Sequence, residues 1–138
     1  MSNRSSSPTI LIAEDEEAVR LLATLTIRSK GFTVLAAATA EEAIALWDRH
    51  AGEIVLLFSD IVMPGPLTGF DVARHIRATA STLPVIFSSG YSRSLLSDDP
   101  ELQFGVHYLA KPYRQLELSA LITTILAANA SRANSLAA

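Results

Sequence analysis

Five side chains able to hold a cation or a phosphate stand directly behind short apolar runs. Glu14 and Asp15 follow "ILIA", Asp60 follows "IVLLFS", Ser89 closes "VIFSS", and Lys111 follows "VHYLA". Three carboxylates brought side by side repel strongly unless something positive lies among them, so a cation is implied if the fold collects them. Oxygen ligands without histidine or cysteine suit a hard ion such as Mg²⁺, which is held by a few carboxylates and keeps several waters. A lysine and a hydroxyl at the same edge offer what a phosphoryl group needs, a point charge and a hydrogen-bond donor for its oxygens. Each residue taken singly has a plainer role. Glu14 and Asp15 could open a helix, where acids favour the positive dipole end, Ser89 could cap a turn, and Asp60 could form the turn that Pro64 and Gly65 complete.

These groups act together only if the chain brings their runs to one edge. "PTILIAED" is apolar and β-branched before its acids, which fits a buried strand over residues 9–13. From Glu16 to about Lys30, Val19, Leu22, Ala23, Thr26 and Ile27 recur at helical spacing, with Gly31 at the C-terminal cap. "FTVLAAA" is a second strand, and Thr39 with Glu42 has the form of a capping box opening a helix that carries Ala43, Leu46 and Trp47 on one face and ends near His50. "IVLLF" is the most continuous apolar run, a central strand buried on both faces that delivers Asp60. Val72, Ala73 and Ile76 predict a helix from Gly69 to about Ala80, and Pro84 introduces a fourth strand, "LPVIFSS". Between Ser92 and Asp99 the pattern weakens and Pro100 would break a helix, so only a short or irregular one fits there. "VHYLA" is a fifth strand, and residues 115–128, with Leu118, Leu121, Ile122 and Ile125 on one face, form the last helix.

Five alternations of strand and helix predict an α/β, doubly wound parallel sheet, because parallel strands need crossover connections. Ligands in such sheets bind beyond the carboxyl ends of the strands, where all five chemically capable residues fall.

The chain has 138 residues, 49% of them hydrophobic and 18% charged, with mean hydropathy +0.30, which suits one globular domain with a real core. Residues 1–8 read as a disordered segment, 9–128 as the domain, and 129–138, "NASRANSLAA", as a helix end or tail. A net charge of -3 leaves no basic face for nucleic acid. There is no apolar stretch long enough for a membrane span or signal peptide, and no cysteine that would point to an oxidising compartment, so a cytoplasmic location is expected.

Over roughly residues 8–128 the chain resembles the receiver domains of bacterial two-component response regulators. The match lies in Glu14-Asp15 after "ILIA", Asp60 in "SDIVMPG", Ser89 in "FSSGY" and "KPY" at 111–113. The resemblance implies a flavodoxin-like strand order, 2-1-3-4-5. It implies that Asp60 takes a phosphoryl group from a sensor histidine kinase or a histidine phosphotransfer protein, becoming an aspartyl phosphate. Asp15, Asp60 and the backbone carbonyl of Val62 would bind Mg²⁺, with Glu14 acting through water, and Lys111 would pair with the phosphoryl oxygens. Ser89 and Tyr108 would form the switch, and Lys111-Pro112 a cis peptide.

The resemblance further implies an output protein as partner and allows a phosphorylation-dependent homodimer. Such a domain is not a turnover enzyme; it catalyses its own phosphorylation and slow dephosphorylation. The loop "IVMPGPLTG" is one residue longer than the commonest receiver pattern, and "FSSGYS" is similar to receivers of hybrid kinases and some stand-alone regulators. A stand-alone switch leads, beside a receiver belonging to a larger hybrid histidine kinase and a pseudo-receiver that binds without phosphorylation. An aspartate-nucleophile phosphatase would need a second acid two residues after Asp60, where Val62 stands. A nucleotide fold would need a glycine-rich loop after the first strand, which is absent.

Overall fold

The computed structural model describes residues 7–90, 102 and 104–137, the last seven as backbone alone. The expected segment between Ser92 and Asp99 and most of the N-terminal segment lie outside the described residues. The strands are β1 (Thr9–Ala13), β2 (Thr33–Ala37), β3 (Ile54–Asp60), β4 (Val85–Ser89) and β5 (Val106–Ala110). The helices are α1 (Glu17–Ser29), α2 (Ala40–His50), α3 (Gly69–Arg77) and α4 (Gln115–Ala137).

All four strand pairings are parallel and the order is β2-β1-β3-β4-β5, as expected. Side-chain alternation divides the core into two layers. Leu11, Ala13, Leu57, Val85 and Phe87 face α2 and α3, where Ala43, Trp47, Val72 and Ile76 cover them. Ile10, Ile12, Leu56, Phe58 and Ile86 face α1 and α4, under Ala23, Ile27, Leu118 and Ile122. The central strand therefore has no solvent face until its end. Leu56 and Leu57 are both 0% exposed, and removing either side chain would cost ~2–5 kcal/mol. That packing on both sides fixes the position of Asp60.

Local chemistry sets where elements stop. Gly31 adopts φ +96 just beyond α1, a left-handed conformation that other residues avoid. Thr39 accepts from the Glu42 amide at 3.1 Å, but the Glu42 carboxylate reaches back one residue further than a closed box, to the Ala38 amide at 2.8 Å. The full reciprocal box is at α3, between Thr68 and Asp71. Its aspartate is shorter than the glutamate or glutamine that usually marks the motif.

Three expectations need adjusting. Strand β3 runs through Asp60 rather than ending at Phe58, because its ladder to β4 continues to the Asp60–Ser88 pair. Leu22, expected on the buried face of α1, is 53% exposed, since the stripe facing the sheet is Ala23 and Ile27. Helix α4 continues to Ala137 rather than ending near 128: alanine-rich sequence sustains the backbone helix after the apolar period stops.

Candidate functional site

The carboxyl ends of β1, β3, β4 and β5 meet at a cleft of about 160 Å³ lined by Asp15, Asp60, Val62, Ser88, Ser89, Gly90 and Lys111. Glu14 lies beside it, 3% exposed. Oxygens of Glu14, Asp15 and Asp60 come within 4.8 Å of one another, so the topology assembles the three acids selected from sequence.

Lys111 reaches them from the end of β5. Its backbone amide donates to the Ser89 carbonyl at 3.0 Å, which extends the sheet ladder by one step and aims the side chain across the cleft. There Nζ lies 3.0 Å from Glu14 Oε1 and 2.9 Å from Asp60 Oδ1. The Lys111–Pro112 peptide is cis. Glu14 is further fixed by the Glu16 amide, which donates to Oε2 at 2.9 Å, and by the Arg20 guanidinium on its carbonyl at 2.9 Å.

One ammonium between two buried acids leaves the charges unbalanced. Burial, followed by the hydrogen bond and repulsion from Glu14, pushes Asp60 from 3.8 up to about 8 against the pull of Lys111. Burial also acts to raise Glu14, but its bonds with Asp60, the Glu16 amide and Lys111 outweigh that and lower it. Burial would lower Lys111, yet the two carboxylates override it and raise the ammonium above its ordinary value. The Asp60 carboxyl thus holds its proton more tightly than an ordinary carboxyl unless more positive charge reaches the cleft. Its Oδ2 is buried without a hydrogen-bond partner among the described residues. An orphaned buried carboxylate oxygen beside Asp15 and Glu14 fits a hard divalent cation.

The remaining selected residues fall around this centre. Val62 is 52% exposed at the cleft wall. Ser89 lies at the mouth, on the opposite sheet face from Asp60 and on the same face as Tyr108. Between the two lies Phe87, whose ring centroid is 5.8 Å from that of half-buried Tyr108.

Two residues at the site were not selected from sequence. Gly69 closes the long loop: its amide donates to the Ile61 carbonyl at 2.8 Å, and a Cβ there would fall on the Asp60 carbonyl. Buried Ile61 and Met63 anchor the rising limb, and Gly65, φ +95, turns at the apex. Ser88, the other addition, pairs in register with Asp60; counting alternation back from Ile86 would have put it on the same face.

The chain belongs to the response regulator receiver domain family, whose family model matches residues 10–123. It is 32% identical over 122 residues to the sensor kinase CckA of Brucella abortus, covering 88% of this chain and 13% of that kinase. It is 35% identical over 118 residues to the sensory transduction protein RegX3 of Mycobacterium bovis, covering 85% of this chain and 50% of RegX3. The chain thus spans half or less of the length of these relatives. Among solved structures, the receiver domain of the hybrid histidine kinase CckA superposes with TM-score 0.73 at 37% identity, covering 86% of this chain and 98% of that one. Receiver domains are signalling domains of two-component systems. Among the described residues no helix is long and apolar enough to cross a membrane.

Proposed function

We propose that this domain is a phosphoacceptor switch in which Asp60 receives a phosphoryl group from a phosphohistidine. The observation that carries the reading is the bridging of Glu14 and Asp60 by Lys111 at the floor of a cleft where Asp60 Oδ2 has no partner. One carboxylate oxygen of Asp60 attacks phosphorus, the P–N bond to the histidine breaks, and its electron pair stays on the imidazole. Lys111, already between the two acids, is placed to follow the negative charge onto the phosphoryl oxygens, and Ser89 donates its hydroxyl to one of them. Asp15, Asp60 and the Val62 carbonyl, with Glu14 acting through water, would hold Mg²⁺, which supplies positive charge for the phosphoryl oxygens and favours ionised Asp60.

Ser89 and Tyr108 share a sheet face, so a pull on the hydroxyl at the mouth can be felt at the Phe87–Tyr108 contact. That face would carry the output, through a protein partner or a second copy of the chain. Similarity to the CckA receiver favours a phosphorelay setting, with a sensor histidine kinase or histidine phosphotransfer protein as donor.

The test is intact mass after incubation with acetyl phosphate and Mg²⁺. Wild type gains one phosphoryl group and Asp60→Asn gains none. An unmodified wild type would refute the switch, and an adduct on the variant would refute the assignment of Asp60.

A further inference from the structure

The cleft contains a second hydroxyl that this chemistry does not use. Ser88 is 2% exposed, and its Oγ is buried with no hydrogen-bond partner among the described residues. It lines the cleft with Asp60 and Lys111 and stands opposite Asp60 in the β3–β4 ladder. Neighbouring strands run ~4.8 Å apart, so same-face side chains at one register level are within reach of each other, directly or through one water. A donor and an acceptor, Ser88 Oγ and Asp60 Oδ2, are thus both left orphaned on adjacent strands at the same level. Burying two such groups unsatisfied is unfavourable, and a polar cleft of this size has room for what would satisfy both.

We infer that Ser88 is a positioning residue that sets the lifetime of the aspartyl phosphate, a conclusion resting on the phosphoacceptor role of Asp60. In the resting geometry Lys111 holds the carboxylate by Oδ1. Once a phosphoryl group is attached, Lys111 turns to its oxygens and Asp60 loses that partner. Ser88 lies beneath the mouth and opposite the carboxylate itself, so its hydroxyl donates to the Asp60 oxygen, while Ser89 serves the phosphoryl oxygens above. During hydrolysis, water attacks phosphorus, the bond from phosphorus to the Asp60 oxygen breaks, and its electron pair returns to the carboxylate. The attacking water's protons leave with inorganic phosphate and solvent. Negative charge grows on the oxygen that Ser88 addresses, so the hydroxyl stabilises the departing carboxylate and shortens the phosphorylated state.

The experiment follows phosphate release from the domain phosphorylated with acetyl phosphate and Mg²⁺, then freed of excess donor, in wild type and in Ser88→Ala, Ser88→Val and Ser88→Thr. Valine and threonine have nearly the same shape and differ in the hydroxyl, so a packing defect would affect both alike. Ala and Val are expected to hold the phosphoryl group ~3- to 10-fold longer, the effect of losing one neutral hydrogen bond, and Thr to restore release to near the wild-type rate. Wild-type release from Ala and Val, faster release from them, or a Thr variant as slow as Val would overturn the role of Ser88 while leaving Asp60 as acceptor. A wild type that never takes up phosphate would overturn both.

Discussion

Replacing Asp60 with asparagine should stabilise the cation-free domain, and do so more at pH 8 than at pH 5. Asp60 is 4% exposed, shares a wall with Glu14, and is raised from 3.8 to about 8. Between those values the native state holds a proton that the unfolded chain has released. Stability therefore falls as pH rises through the interval, and the loss is complete above about pH 8. An interval of that width, at ~1.4 kcal/mol per pH unit, caps the swing near ~6 kcal/mol. Glu14 moves the other way and cancels part of it. Asparagine removes the charge, keeps an oxygen for Lys111, and offers an N–H to Glu14. For a domain of this size each ~1 kcal/mol gained raises the melting temperature by roughly 3–5 °C, and the gain at pH 5 is less than half of that at pH 8. Thermal melts in EDTA at the two pH values measure it. A variant no more stable than wild type at pH 8, or equally stabilised at both, would show that the carboxylates are not in conflict. Adding Mg²⁺ at pH 8 should then stabilise the wild type and leave Asp60→Asn nearly unmoved.

Lys111→Met removes the ammonium from between Glu14 and Asp60 and should cost ~3 kcal/mol in urea unfolding without cation, with part of the loss recovered on adding Mg²⁺. No loss would mean that the bridge contributes nothing to the resting fold. Gly69→Ala puts a methyl group onto the Asp60 carbonyl, so the loop must move: we expect more than ~2 kcal/mol of destabilisation and weakened Mg²⁺ binding, and a variant matching wild type in both would contradict the close approach. Thr68→Ala removes one side of the α3 capping box and should lower stability by ~1 kcal/mol in urea, with Asp71→Ala no more than additive to it, since the two act as one unit.

The parts legible in the sequence are those with a strong local cause. "IVLLF" reads as a central strand because nothing in it tolerates water, and it is the strand packed on both faces. Glu14, Asp15, Asp60 and Lys111 could be selected because each breaks an apolar run at its end, so the fold class alone puts them on one edge. Leu22 was misplaced for a local reason too: helical spacing finds a stripe, but which edge of the stripe meets the sheet depends on how α1 is rolled by Ala23 and Ile27. Gly69 and Ser88 have no local signature. The glycine is required by a backbone nine positions earlier in sequence, and the serine matters through its β3 partner, a fact carried by register rather than by residue type. The cleft thus has two kinds of parts. Those that carry charge announce themselves, because burying them is unfavourable without partners. Those that adjust the charged ones are small and neutral, and are seen only when the strands are aligned. If Ser88 governs how long Asp60 holds its phosphoryl group, signal duration can vary between receivers that share every charged residue.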